Sequence, residues 1–353
     1  MDQTSKKLTI KDVARVAGVS KGTVDRVVHN RGEVSERSRK RVLEVIEQLG
    51  YRPNIYASML ASRRKYMIAC LIPSYQPGEF WELVAGGIDR ARREEGHYNV
   101  EIEVFQYEQF DEASFSETCR RMLDSAPSGV VMAPMYRDST AYITTELASR
   151  SIPYVFIDSR FENMGYLAFF GMSMYQSGYQ AADLLMDGCG ECETIATFSI
   201  ERPNRRNNPT SERSRGCMAY MEEHHPRTVV YEEFIRPYDT AYNIKVLDAF
   251  FASHPGVRSL ITFNSRVHLI AEYLEYRGLK DYRLVGFDML GRNIDSLRKG
   301  FCKYLVTNVT EMQVYYAFNA LLKYLTFHKT PAQRDNFSGI DILTRYNADY
   351  YFK

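Results

Sequence analysis

The stretch TIKDVARVAGVSKGTVDRVVHN, residues 9–30, decides how the first part of the chain folds. Thr9 and Asp12 have the spacing of a capping box, in which each residue satisfies a backbone amide of the other. Apolar side chains then recur at helical spacing over 10–17. Ser20 can cap a second helix after a short turn. The stretch therefore predicts two short helices joined by a tight turn.

A third helix is predicted between a capping Ser35 and Gly50, which completes a three-helix head over residues 1–52. A helix, a tight turn and a helix place the second helix in the major groove of DNA. Arg26 on that helix can donate to guanine O6 and N7. The residues expected to contact DNA from this head are Thr9, Ser20, Lys21, Gly22, Thr23, Arg26 and Asn30.

The charge of the chain is distributed unevenly along its length. Residues 1–65 carry 15 Lys and Arg against 7 Asp and Glu, whereas the other residues are acidic overall, so that the net charge of all 353 residues is +1. A basic head on an acidic body indicates a polyanion partner at one end. The charge by itself is also explained by a solvated basic surface that binds no partner.

The same residues resemble a known family of DNA-binding proteins. The run over 9–30, together with Val34-Ser35 and the run over 49–54, is similar to the head of the lactose-repressor (LacI/GalR) family. The resemblance implies that the positions of Lys21 and Gly22 influence operator preference and that Arg26 contacts a base. This chain departs from the family at Asp25, where Ser is usual, and a carboxylate near phosphates weakens binding unless it accepts a hydrogen bond.

Residues 53–65 are predicted to form a hinge helix or linker between the head and the body. An isolated helix of this length is marginal in water. The resemblance implies that the hinge orders on DNA and that Leu60 is inserted between base pairs in the minor groove. It also implies that Ala57 lets two hinges approach each other. The alternative for Leu60 is a packed linker residue.

From residue 66 onward, short apolar strands alternate with helical stretches, which predicts an α/β fold with parallel sheets covered by helices. The alternation restarts near residue 166. We therefore expect a two-lobed body over 66–353, with one lobe at about 66–165 and 290–323. The other lobe is expected at about 166–289 and 324–353.

Ligands of open α/β sheets bind beyond the carboxyl ends of the strands, so the residues that follow each strand are candidates for a binding site. Their aromatic faces, carboxylates, amides and guanidinium groups suit a sugar. The candidates are Tyr75, Phe80, Trp81, Tyr136, Asp158, Arg160, Arg213, Asn264, Asp288 and Asn308. Trp81 could instead belong to the core, and the two aspartates could instead cap helices.

The resemblance extends into the body, which is similar to the periplasmic sugar-binding-protein fold of the same family. Residues 211–216 match its Ser-x-Arg-x-x-Gly pattern, and 285–288 match Val-Gly-Tyr-Asp with Phe in place of Tyr. These matches imply ligand roles for Arg213, Asn264 and Asp288. Ser265 stands where the family usually has Asp, and Asn308 where it often has Gln, so the ligand's identity stays open.

Taken together, the sequence predicts a ligand-responsive transcriptional regulator, with repressor as the family default. It would act as a cytoplasmic homodimer on a palindromic operator and sense a sugar or sugar derivative. No cofactor or metal is expected, and the Cys-x-x-Cys at 189–192 is interpreted as a turn. The alternatives are a solute receptor or a carbohydrate-active enzyme on the same scaffold. Common catalytic and nucleotide-binding motifs, an apolar leader and an 18-residue apolar run are absent from the sequence.

Overall fold

The computed structural model describes residues 8–29, 32–51, 65–95, 99–189, 194–201 and 210–351. Three positions predicted to contact DNA lie outside these ranges, namely Asn30, Ala57 and Leu60, as does nearly all of the predicted hinge.

The head contains the three predicted helices, α1 (Ile10–Ala17), α2 (Lys21–Val28) and α3 (Glu36–Leu49). The capping box at the start of α1 is formed, and Gly18 ends that helix in the left-handed conformation with φ at 68°. The Ser20 side chain accepts a hydrogen bond from the Thr23 amide, which caps α2. Fully buried valines from all three helices form the small core of the head, among them Val13, Val24 and Val42.

The first lobe of the body is built on a six-stranded sheet with strand order β11-β5-β4-β3-β1-β2, in which every pairing is parallel. Its strands are β1 (Tyr66–Pro73), β2 (Val100–Tyr107), β3 (Gly129–Met132), β4 (Tyr154–Ile157), β5 (Ala168–Gly171) and β11 (Asp335–Phe337). The central strands are buried along their whole length, as expected for a parallel sheet covered on both faces.

The second lobe is built on a sheet of the same size, with strand order β12-β10-β9-β8-β6-β7. Only β12 runs antiparallel to its neighbour among these pairings. The strands are β6 (Thr194–Ile200), β7 (Val229–Ile235), β8 (Ser259–Thr262), β9 (Arg283–Phe287), β10 (Tyr304–Thr307) and β12 (Asp341–Leu343).

Ten further helices in the described residues belong to the body, and most of them pack against the two sheets. Those with contacts to the first lobe are α4 (Phe80–Glu95), α5 (Glu112–Asp124), α6 (Arg137–Ser149) and α12 (Thr310–Phe327). Those of the second lobe are α7 (Met174–Met186), α8 (Thr210–His224), α9 (Thr240–Ser253), α10 (His268–Tyr276), α11 (Gly291–Lys299) and α13 (Ala348–Tyr351). None of the described helices combines the length and apolar character needed to cross a membrane.

The two predicted lobes exist, but their boundaries differ from the expected division. Residues 168–171 were expected to begin the second lobe, whereas β5 pairs with β4 in the first sheet. Residues 290–307 were expected in the first lobe, whereas β10 pairs with β9 in the second sheet. The physical reason is lateral pairing, because a short strand is assigned to a lobe by the neighbour that takes its backbone hydrogen bonds, which its own sequence does not specify.

The chain crosses between the lobes after β5, after β10 and after β11. Two of these crossings are joined by a hydrogen bond, since the Asn308 side-chain amide lies 3.1 Å from the Ser338 hydroxyl. Gln313 on α12 donates to the same hydroxyl at 3.0 Å. The connections after β10 and β11 are therefore held beside one another.

Helices α7 and α8 cross at an unusually short distance. A Cβ atom added at Gly178 would lie 1.9 Å from the carbonyl oxygen of Arg213, and one added at Gly216 would lie 1.9 Å from that of Tyr175. Each glycine thus lets the backbone of the other helix approach directly. This crossing explains why the Ser-x-Arg-x-x-Gly pattern contains Gly. It also fixes the position of the Arg213 backbone relative to α7.

We predict that Gly216→Ala lowers the stability of the protein, because the added methyl group forces two backbones apart. Overpacking of this kind costs about 1–3 kcal/mol. The measurement is the midpoint of urea unfolding followed by circular dichroism. Gly256→Ala is the matched control, since no atom lies within 4 Å of the added Cβ there. Equal midpoints for the two variants would contradict the close-approach explanation.

Candidate effector cleft and DNA-reading helix

A cleft with about 70 Å³ of free space lies between the two lobes. It is formed at the carboxyl ends of strands from both sheets, where α/β folds bind ligands. The residues that line it are Glu79, Phe80, Trp81, Gln109, Met135, Asp158, Met174, Ile200, Arg213, Asn264, Ser265, Arg266 and Asp288.

Two aspartates occupy corresponding positions in the two lobes. Asp158 follows β4 and Asp288 follows β9, and both adopt the left-handed backbone conformation, with φ at 65° and 69°. The Asp158 amide donates to the carbonyl of Phe170, and the Asp288 amide donates to that of Val306. Each aspartate is therefore tied to the next strand of its own sheet, and positive φ at a residue other than Gly often accompanies a functional site.

The Arg213 guanidinium is buried at the second lobe's side of the cleft. Its Nη1 donates to the carbonyl of Phe263 at 3.1 Å, and its Nη2 lies 3.7 Å from a carboxylate oxygen of Asp288. The guanidinium also stacks over the Phe287 ring at 4.1 Å. Its Nε has no hydrogen-bond partner within the described part of the chain.

Asn264 presents a second buried donor of this kind. Its side-chain oxygen accepts from the Arg266 amide at 2.8 Å, which fixes the orientation of the side chain. Its Nδ2 atom has no hydrogen-bond partner among the residues that the structure covers. A buried donor without a partner costs free energy, so the two donors favour a ligand that brings acceptor oxygens.

Burial raises the pKa of Asp158 to about 7; the Arg213 guanidinium opposes the shift and the Asp288 carboxylate adds to it. Burial also raises the pKa of Asp288, and Arg213 again opposes it. Both carboxyl groups are thus destabilised as anions in this site. Hydroxyl groups of a ligand that donate to these oxygens would offset part of that cost.

Six of the predicted ligand residues line the cleft together: Phe80, Trp81, Asp158, Arg213, Asn264 and Asp288. The rings of Phe80 and Trp81 make an edge-to-face contact with centroids 5.1 Å apart. Trp81 is 4% exposed, so it belongs both to the core of the first lobe and to the wall of the cleft.

Four predicted ligand residues do not line the cleft. Tyr75 packs against the core of the first lobe, and Tyr136 donates its hydroxyl to the carbonyl of Gln109. Arg160 forms an ion pair with Asp335, in which its Nη2 lies 3.5 Å from a carboxylate oxygen. Its guanidinium also lies over the rings of Phe169 and Phe337. Asn308 joins two of the three crossings between the lobes, as described above. For Tyr136, Arg160 and Asn308, a neighbour from a distant part of the sequence decides the orientation.

Seven residues of the cleft were not predicted: Glu79, Gln109, Met135, Met174, Ile200, Ser265 and Arg266. Gln109, Met135 and Ser265 follow strand ends and could have been found by the same rule. Arg266 and Glu79 give no local signal, because their role depends on each other across the lobes.

A further buried side chain supports the cleft without lining it. The Asn293 amide nitrogen lies 2.9–3.0 Å from the carbonyls of Ser265, Phe287 and Asp288, and its oxygen accepts from His268. Asn293 thus ties together the two loops that carry Asn264 and Asp288.

In the head, Lys21, Gly22 and Arg26 are exposed on α2, as a DNA-reading helix requires. Thr9 and Ser20 act as helix caps, and Thr23 shares a hydrogen bond with the Ser20 hydroxyl. The unusual Asp25 lies 3.3 Å from the His29 ring, whose face stacks on Phe327 at the end of α12 with centroids 4.8 Å apart. Asp25, which departs from the family pattern, is therefore paired with a side chain of the protein itself, His29.

We predict that Asp158→Asn stabilises the protein against heat, and more so at pH 8 than at pH 5. The pKa of Asp158 is about 7 in the folded protein and 3.8 for an ordinary aspartate. Between these pH values the folded protein therefore binds one more proton at this residue than the unfolded protein does. Stability therefore falls as pH rises between these values, and the amide removes that loss. The measurement is the thermal midpoint at the two pH values. The matched control is the exposed Asp281→Asn, expected to have the wild-type midpoint at both; an equal gain for Asp158→Asn at pH 5 and pH 8 would contradict the assignment.

Two families match the chain. Residues 9–54 match the bacterial regulatory proteins of the lacI family, and residues 68–329 match the periplasmic binding protein domain. A crystal structure described as a provisionally assigned LacI transcriptional regulator from Bacteroides fragilis is 35% identical, with a TM-score of 0.77; the match covers 82% of this chain and all of that one.

Two curated relatives show the same relationship. Catabolite control protein A of Priestia megaterium is 31% identical over 56% of this chain, and the ribose operon repressor of Lactococcus lactis is 24% identical over 79%. The chain spans 57% of the former's length and 80% of the latter's, and 26% and 51% of two other curated regulators. The chain thus belongs to the bacterial regulatory proteins of the lacI family, with a head of that family joined to a periplasmic-binding-protein-like body.

Proposed function

We propose that this protein is a ligand-responsive transcriptional regulator of carbohydrate metabolism, probing DNA with its head and sensing a sugar or sugar derivative in the cleft. One observation carries the proposal. A helix-turn-helix with an exposed basic reading helix occurs in one chain with a two-lobed cleft, in which two buried donors have no partner among the described residues. Neither a solute receptor nor an enzyme needs the first of these features. Action on genomic DNA would require a cytoplasmic location.

The chemistry of the cleft supports a polyhydroxylated ligand. Asp158 and Asp288 offer acceptor oxygens, while Arg213 Nε and Asn264 Nδ2 offer donors. A sugar hydroxyl both donates and accepts, so adjacent hydroxyls can satisfy both sets. The faces of Phe80 and Trp81 provide apolar surface for ring C–H groups. The ribose operon repressor among the relatives is consistent with a sugar effector.

The proposal includes a homodimer on a palindromic operator. One head presents a single reading helix and can read one half of a site, whereas two heads related by a twofold axis read both halves. Effector binding would change the relative orientation of the lobes and thereby the spacing of the heads. Ligand and operator must then change each other's affinity by the same factor.

The sugar part of this proposal predicts a ligand that raises the thermal midpoint. A thermal-shift screen of monosaccharides and sugar acids with the full-length protein finds it, since a ligand that binds only the folded state stabilises that state. For the sugar so identified, Asn264→Ala should weaken binding by about tenfold or more, because it removes a buried donor. Calorimetric titration gives the affinity.

The matched control for this experiment is Asn319→Ala, on α12 and outside the cleft. It should bind the sugar as the wild-type protein does. Unchanged affinity in Asn264→Ala would remove that residue from the binding site, and a screen in which no sugar shifts the midpoint would contradict the proposed effector class.

The DNA part predicts sequence-selective binding that depends on Arg26. A duplex is first selected from genomic fragments by the full-length protein. Arg26→Ala should then lose about 1–3 kcal/mol of affinity for the selected duplex and discriminate less against random DNA. Competition gel shifts measure both quantities.

Arg120→Ala provides the control for the DNA experiment, since it removes an exposed arginine from α5 in the body. It should retain the wild-type preference. If the wild-type protein showed no preference for any duplex over random DNA, the proposed regulator function would be refuted.

A further inference from the structure

A polar contact joins the two lobes at the edge of the cleft; its Arg266 and Glu79 side chains are mostly buried, whereas Tyr238 is 68% exposed. Glu79 belongs to the first lobe, just before α4, whereas Tyr238 and Arg266 belong to the second lobe, after β7 and β8. Arg266 Nη2 donates to Glu79 Oε1 at 2.8 Å, and the Tyr238 hydroxyl donates to the same oxygen at 2.9 Å. One carboxylate oxygen of the first lobe thus receives two hydrogen bonds from the second.

The members of this contact also hold one another in place. The Arg266 guanidinium lies 5.6 Å from the centre of the Tyr238 ring and donates to its hydroxyl at 3.3 Å. The second oxygen of Glu79 accepts from the Gln76 amide at 2.9 Å, so the carboxylate is oriented by its own loop. The geometry therefore needs little further ordering when the lobes meet.

Burial distinguishes this ion pair from the surface pairs of the chain. The side chains of Arg266 and Glu79 are 9% and 18% exposed, whereas those of Arg292 and Glu272, a pair within the second lobe, are 59% and 43% exposed. Burial by itself would raise the pKa of Glu79, but the Gln76 amide, Arg266 and Tyr238 together lower it. The carboxylate is therefore ionised at neutral pH, and separating the pair would leave charges without partners.

An apolar contact accompanies the polar one. Phe110 lies in the loop between β2 and α5 of the first lobe and packs against the core cluster of the second lobe. Two independent contacts from loops of the first lobe thus reach the second lobe.

We infer that Glu79, Arg266 and Tyr238 form a latch that holds the two lobes closed in the absence of an effector. The latch acts by shifting the population of molecules toward the closed form. A ligand that binds only the closed form has an apparent affinity equal to its intrinsic affinity multiplied by the fraction of molecules that are closed. A latch that favours closure raises the closed fraction and thereby tightens binding, although Glu79 and Arg266 also line the cleft themselves. Tyr238 does this from outside the lining of the cleft, and is a positioning residue.

Trp81 makes the latch testable without an effector, because it is the single tryptophan of the chain and is almost fully buried in the cleft wall. Opening of the lobes would expose it. We expect Glu79→Gln and Tyr238→Phe in the full-length, ligand-free protein to increase acrylamide quenching of tryptophan fluorescence. The expected increase is at least about twofold for Glu79→Gln, and small-angle scattering should show a larger radius of gyration.

The double variant separates a latch from two unrelated effects. Because both donors bind the same oxygen of Glu79, the effect of Tyr238→Phe should be much smaller in the Glu79→Gln background than in the wild-type protein. The matched controls are Glu272→Gln and Tyr273→Phe, which remove an ion pair and a tyrosine hydrogen bond within the second lobe. They should leave quenching and the radius of gyration unchanged.

Two results would overturn the inference. One is wild-type quenching and radius of gyration in both latch variants. The other is a change in Glu79→Gln that Tyr238→Phe does not share, since Glu79 is close to Trp81 in sequence and could alter its fluorescence locally. Neither outcome depends on which sugar binds or on whether one binds, so failure of the latch is distinguishable from failure of the proposed function.

Discussion

The buried Arg213 and Asp288 and the partly buried Asp158 meet between the lobes, and the rest of the cleft is arranged around them. Arg213 lies against Asp288 in the second lobe, and Asp158 approaches from the first lobe within the electrostatic reach of both. Burial raises the pKa values of both aspartates, and the single Arg213 guanidinium offsets only part of that shift. Such an arrangement costs stability and favours a partner that supplies hydrogen bonds.

The fold holds these charges in place by backbone contacts. Left-handed turns after corresponding strands aim the two aspartates into the cleft, and the glycine-mediated crossing of α7 and α8 fixes Arg213. Asn293 ties the loops of the second lobe together. Since each of these contacts lies within one lobe, the two halves of the site are preformed separately and come together when the lobes close.

Closure itself depends on contacts that cross between the lobes. The Glu79 latch and Phe110 lie in loops of the first lobe, whereas the joined crossings at Asn308 and Ser338 lie in the segments that connect the two sheets. The head is linked to the first lobe of the body, where His29 stacks on Phe327. Helix α12 therefore extends from one crossing between the lobes to His29, the C-terminal cap of α2.

The sequence by itself determined the helical head, the α/β alternation and six of the residues that line the cleft, because capping, periodicity and the position after a strand end are local properties. It did not determine the lobe to which β5 and β10 belong, the diversion of Arg160 to Asp335, or the pairing of Glu79 with Arg266. Those features are decided by which strand or side chain lies alongside. Such lateral neighbours come from distant parts of the chain and become adjacent only when the sheets assemble.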